Sequence, residues 1–193
     1  IRDYKVTGVQ TCALPICMAY ASSGRNIREQ VLLLSPEEKM HMREKLMDNL
    51  REDKKYYLYD FFLDNCTTRL RDLITAAKLP SPILPAVMPA STTFRNAIHL
   101  YLDKGNKPWS KLGIDILLGA RTDRIMTTAQ QEFLPDNLMM AVDSCQNTSL
   151  IQSTEKYQAT ESPAESGFFN PMIFFSLLLL LMLFISRLRS EEH

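Results

Sequence analysis

No sign of charge dominates this chain. Its 22 lysines and arginines are matched by 22 aspartates and glutamates across 193 residues, which leaves no basic field of the kind that gathers nucleic acid. It contains no phosphate-binding P-loop, no GxGxxG turn, no HExxH and no paired CxxC. A nucleotide cradle and a zinc ligand set are therefore both missing, and neither cofactor nor metal is expected. No internal repeat is visible. Histidine is scarce, limited to His41, His99 and His193.

Four cysteines would ordinarily invite a two-disulfide framework. The N-terminus removes that option. Residues Ile1 to Ile16, IRDYKVTGVQTCALPI, read codon for codon as a translated sequencing-library adapter, a segment to exclude before any fold reasoning. Cys12 then drops out and Cys17 is doubtful, leaving Cys66 and Cys145 far apart. The natural sequence is expected to start near Cys17 or Met18, in mid-gene, with upstream protein missing.

What is present centres on Tyr56–Leu73, YYLYDFFLDNCTTRLRDL. A run of aromatic and aliphatic residues, expected to be extended and buried on both sides, leads into Asp64-Asn65-Cys66-Thr67-Thr68. A helical pattern follows, with Leu70, Leu73, Ile74 and Ala77 on one face. Asn65 is a good N-cap, and Thr67 and Thr68 are alternatives. Cys66 therefore falls at the start of a helix, where free backbone N–H groups and the positive dipole end favour a thiolate nucleophile. A buried structural cysteine is the plainer reading. The polar residues around it (Asn65, Thr67, Thr68, Arg69, Arg71 and Asp72) weigh toward chemistry. Arg69 and Asp72, three apart, read as a surface ion pair.

Along the rest of the chain, Val31–Leu34 reads as a short buried strand. Ser35-Pro36-Glu37-Glu38 starts a helix by capping box, predicted to run to about Arg51 and to bury Met42, Leu46, Met47 and Leu50, with His41 in solvent. Prolines 80, 82, 85 and 89 punctuate a loop. Further helices are expected over Phe94–Leu102, capped by Thr92 or Thr93 and carrying His99, from Pro108 to Gly119, and over Thr128–Ala141 with an interruption at Pro135. Residues 17–143 thus form one mostly helical α+β domain. Residues 144–167 turn polar and read as a linker. Residues 168–186 carry no charge and read as a transmembrane helix. Arg187 and Arg189 follow, so residues 187–193 form a cytoplasmic tail and the domain lies outside, in the periplasm of a Gram-negative cell.

Several of these residues form a family pattern. Gly24-Arg25, Glu29-Gln30 and Leu34-Ser35 precede Tyr59-Asp60-Phe61-Phe62, Asp64-Asn65-Cys66-Thr67-Thr68-Arg69 and Arg71-Asp72. Phe94-Arg95, Ile98, Trp109, Gly113-Ile114-Asp115, Gly119, Asp123 and Phe133-Leu134-Pro135 continue it. Over Tyr20 to Leu138 the chain resembles the N-terminal periplasmic domain of the lipoprotein N-acyltransferase Lnb family. That resemblance implies a papain-like thiol fold related to NlpC/P60 and LRAT, of which this chain is a fragment, with Cys66 as nucleophile. It also implies an upstream histidine as base, which none of the three histidines here matches, so the fragment is expected to be inactive. The implied reaction moves an acyl chain from a membrane phospholipid, through a Cys66 thioester, to the N-terminal amine of a diacylated lipoprotein. Backbone N–H groups at the helix start would form the oxyanion hole, and Arg69 or Arg71 is a candidate for a lipid phosphate. Two other readings fit the residues: a cysteine hydrolase of peptidoglycan or other amides, and a non-catalytic membrane-tethered domain. An apolar groove beside Cys66 would favour lipid, and a polar cleft peptidoglycan.

Overall fold

The computed structural model describes residues 18–20, 22–23, 27–157 and 170–191, leaving aside the side chains of residues 155–157 and 188–191. The adapter-like segment, Gly24, Arg25 and His193 lie outside the described residues. The chain divides into two compact units: Ile1–Ala90 with Thr127–Pro163, and Ser91–Met126 with Ala164–His193. The described part is α+β and mostly helical.

In the first unit, strand β1 (Ile27–Leu32) pairs antiparallel with β2 (Ile151–Tyr157), in a register running from Ile27 opposite Tyr157 to Leu32 opposite Ile151. The polar stretch expected as linker from residue 144 therefore begins with folded structure. Leu150 is 2% exposed and joins Ile74, Leu138 and Val142 in the core, with Leu32, Met42, Leu84, Cys145 and Ile151 packed against them. Two apolar anchors suffice there, because the rest of β2 is held by backbone pairing, which asks nothing of side-chain polarity. Each core side chain of this size contributes roughly 1.5–3 kcal/mol by leaving water.

Helix α1 (Pro36–Asn49) starts where its capping box predicts: Ser35 Oγ accepts from Glu38 N at 3.2 Å, and Glu38 Oε2 accepts from Ser35 N at 2.8 Å. Of its expected apolar face, only Met42 packs against the core. Leu46, Met47 and Leu50 all stand in solvent. Glu38 fastens the helix instead: Lys78 Nζ lies 3.2 Å from Glu38 Oε2 and also donates to Leu33 O, while Leu79 N donates to Glu38 Oε1. Those hydrogen bonds, from Leu79 first and Ser35 next, hold the Glu38 carboxyl below the ordinary range.

The 56–63 run also departs from expectation. Phe62 alone is buried, against Phe133 (ring centroids 5.9 Å apart), while Tyr56, Leu58 and Tyr59 are exposed. The run is not a strand: residues 56–59 have no regular structure and 61–63 form a turn, where the Asp60 carboxylate accepts from Phe62 N and Leu63 N and curls the backbone. Helix α2 (Cys66–Ala77) follows and packs against α1.

In the second unit, α3 (Phe94–Lys104) is capped by Thr93 and buries Phe94, Ala97 and Ile98. Helix α4 (Pro108–Leu118) ends at Gly119, whose φ of 58° suits glycine, and a 3-10 turn covers Gly119–Asp123. The first unit resumes with the short α5 (Thr128–Gln131) and α6 (Pro135–Asp143), broken at Pro135 as its missing N–H requires.

Helix α7 (Pro171–Glu191) belongs to the second unit and exposes nearly every large apolar side chain from Met172 to Ile185. Trp109 packs edge-on against Phe174, with centroids 5.7 Å apart. Among the described residues, no helix is long and apolar enough to cross a membrane. The expectation of a transmembrane helix over 168–186 is corrected accordingly. Its uncharged helical portion runs only from Pro171 to Ser186, roughly 24 Å against the ~30 Å hydrocarbon layer.

Candidate active site around Cys66

Asn65 sits in extended backbone (φ −115°, ψ −179°) immediately before α2, so Cys66 is the first helical residue. Asn65 Oδ1 accepts from Thr67 N at 2.8 Å and Thr68 N at 2.9 Å, and Thr68 Oγ1 accepts from Asn65 N in return. The other end of the amide is used as well: Nδ2 donates to Phe61 O at 2.9 Å and to Phe133 O at 3.0 Å. Asn65 is 5% exposed. Four hydrogen bonds on one buried side chain fix the turn that presents the thiol. Cys66 itself is reduced and exposed, as Cys145 is reduced and half-buried, so no disulfide links them.

This cap corrects the expected oxyanion hole. Thr67 N and Thr68 N are committed to Asn65 Oδ1, and Arg69 N to Asn65 O at 3.1 Å. Of the first helical N–H groups, that of Cys66 is left to face a reacting carbonyl.

The arginines are also placed differently from expectation. Arg69 does not pair with Asp72. Its guanidinium grips Asp64 in a two-point contact of 2.6 and 2.8 Å and stacks on the Tyr57 ring at 3.4 Å. Those bonds hold the Asp64 carboxyl below its usual range and the Arg69 guanidinium above its own. Asp72 pairs with its neighbour Arg71, which also donates to Ala129 O at 2.7 Å. Arg71 Nε lies 3.8 Å from Glu132 Oε2. Both guanidiniums are occupied by protein carboxylates, which argues against either as a phosphate site.

Glu132 is the residue that sequence reasoning missed. It is 2% exposed, and burial pushes its carboxyl up to about 7, with Arg71 opposing and Asp72 adding to the shift. Nothing in Gln130-Gln131-Glu132-Phe133 signals this, because it depends on α2 and α5 meeting.

Cys66 stands at the rim of a groove of about 450 Å³. Leu32 from β1, Ile74 from α2, and Leu138 and Val142 from α6 form its inner wall. Leu70, Met139, Pro135 and Thr67 complete the rim with Gln30, whose Nε2 donates to Met139 O at 3.1 Å. A second cavity of similar volume, lined by Lys45, Asn49, Asp64, Arg69 and Asp72 among others, is polar and does not reach the thiol.

No histidine is hydrogen-bonded to Cys66 among the described residues. His41 is half-buried on α1. His99 belongs to the other unit, where its Nε2 lies 2.8 Å from Asp115 Oδ1. There Arg95, Asp115, Gly119 and Asp123 come together as a clasp. Arg95 bonds Asp115, donates to Asp123 Oδ1 at 2.6 Å and to Gly119 O at 2.9 Å, and so ties α3 to the end of α4.

No curated protein and no solved structure matches the chain. A family model does, over residues 16–95, a stretch that contains β1, α1, the Asn65 cap and Cys66. That model is described as the Lnb N-terminal periplasmic domain, to which residues 16–95 are similar.

Proposed function

We propose that the chain is part of a periplasmic thiol acyltransferase, held at the inner membrane, that transfers an acyl chain from phospholipid to the N-terminal amine of diacylated lipoproteins. One observation carries this reading: an exposed thiol, fixed at the first residue of a helix, opens onto an apolar groove. A peptidoglycan hydrolase would want a polar cleft at that point.

In the proposed mechanism the Cys66 thiolate attacks the ester carbonyl of the lipid. The C–O bond breaks, the lysophospholipid leaves with a proton, and a thioester remains. The lipoprotein amine then attacks the thioester, forms the amide and returns the thiolate. Cys66 N–H faces the oxyanion, and the groove lining adds two side-chain donors, the second Nε2 proton of Gln30 (the first being held by Met139 O) and the Thr67 hydroxyl. Asn65, Thr67 and Thr68 hold the turn, and Arg69, Arg71 and Asp72 brace α2. The proton acceptor is a base that the described residues do not place beside Cys66. Helix α7, apolar on all sides, attaches the chain to the bilayer and so concentrates it with both substrates.

The test is mass spectrometry of lipoproteins from cells relying on the full-length protein. Triacylated N-termini should appear with the native residue and vanish with Cys66→Ser. Triacylation that survives the substitution would sink the proposal.

A further inference from the structure

Six of the large apolar residues that the Cys66 unit leaves in water lie together just ahead of the nucleophile. Tyr56, Tyr57, Leu58, Tyr59, Phe61 and Leu63 are all exposed, Leu58 at 92% and Tyr56 at 79%. The loop that carries them is nonetheless fixed from inside. Asp60 and Asp64 exchange backbone hydrogen bonds of 3.1 and 3.0 Å, and Asp60 Oδ1 pins the turn between them. Phe62 inserts beside Phe133, and Arg69 clamps the Tyr57 ring. An apolar surface held open in this way is a contact surface.

Its charge selects the kind of partner. Each cation leading into the loop is already paired: Arg51 with Asp48 and Asp53, Lys54 with Asp48, and Lys55 with Glu52. The surface presents both signs in balance and no field of either. A zwitterionic headgroup layer has the same character. Tyrosine, with an apolar ring and a polar tip, is the side chain that settles at the boundary between headgroups and acyl chains. The loop runs directly into Asn65 and Cys66, so whatever it rests on also meets the thiol.

We infer that Tyr56–Leu63 is an interfacial loop that lays this unit on a zwitterionic phospholipid surface, with Cys66 at the edge of the acyl layer. The inference rests on the lipid acyltransfer reading and names how that site reaches its donor.

The experiment uses the full chain with Trp109→Phe, which removes its one tryptophan, and Leu58→Trp as reporter. Helix α7 keeps the chain on vesicles in any case, so binding is not the readout. The readout is the indole's emission on phosphatidylcholine–phosphatidylethanolamine vesicles with brominated acyl chains. A blue shift and loss of most of the emission are expected. Unshifted, unquenched emission on vesicles that carry the chain would overturn the inference, and so would a blue shift without vesicles, which would mean self-association. Tyr56→Trp repeats the test at a second exposed position. Cys66→Ser should leave the quenching unchanged, so failed acyl transfer with retained quenching counts against the reaction and not the loop.

Discussion

The two units each build a polar network at the start of a helix, and they use it in opposite ways. Around Asn65 the network consumes the N–H groups of Thr67 and Thr68 and the carbonyls of Phe61 and Phe133, yet leaves Cys66 exposed with no hydrogen-bond partner among the described residues. Around Arg95 everything is spent. The guanidinium meets two carboxylates and a carbonyl, and His99 faces Asp115. Both clusters gather residue types that catalyse reactions elsewhere. A network that closes on itself is an architectural joint, whereas one that holds a reactive atom apart from its own bonds can do chemistry.

The hardest test of that contrast is Cys66→Ser. It should abolish acylation while leaving the thermal midpoint nearly unchanged, because the exposed thiol supports no packing. Gln30→Leu comes next. Losing an oxyanion donor should lower kcat by about 10²-fold with KM little altered, as read in single-turnover thioester formation with the full-length protein.

Glu132 tests whether the Cys66 unit stores strain in its supports. Its folded carboxyl titrates near 7 against 4.5 in the unfolded chain, so folding takes up a proton between those values. Stability is fully present below about pH 4.5 and declines as pH rises through 7, by up to about 3 kcal/mol. Urea melts across that window should show the slope, and Glu132→Gln should flatten it. Asn65→Ala should cost about 2 kcal/mol, for the lost cap and two orphaned carbonyls, by denaturant titration. The smallest effect belongs to the other unit. His99→Gln should change stability by less than about 1 kcal/mol and leave acylation intact. Loss of acylation there would make His99 the missing base and erase the contrast.

The local rules were legible in the sequence. Ser35, Asn65 and Thr93 each cap a helix, and Pro135 breaks one, because capping depends on neighbours a few residues away. What stayed hidden depends on distant partners. The Tyr56–Leu63 run has the composition of a buried strand, but Asp60 turns it outward. Leu46 and Leu50 keep helical spacing with no surface to cover them, and Glu38 does that work through Lys78. Strand β2 was taken for linker because its hold on β1 is made of backbone. The place of Cys66 at the helix start is readable from Asn65-Cys66, while the groove beside it needs Leu138 and Val142 from far along the chain.

One hydrogen bond has a practical consequence. Asn65 Nδ2 reaches Phe133 O, 68 residues downstream, whereas the family match stops at residue 95. A recombinant piece trimmed to that limit would shed the carbonyl that steadies the turn, the Leu138 and Val142 side of the groove and the second strand of the sheet. Its thiol would react as any free cysteine does, and its inactivity would say nothing about the enzyme. The smallest piece worth expressing runs through Tyr157.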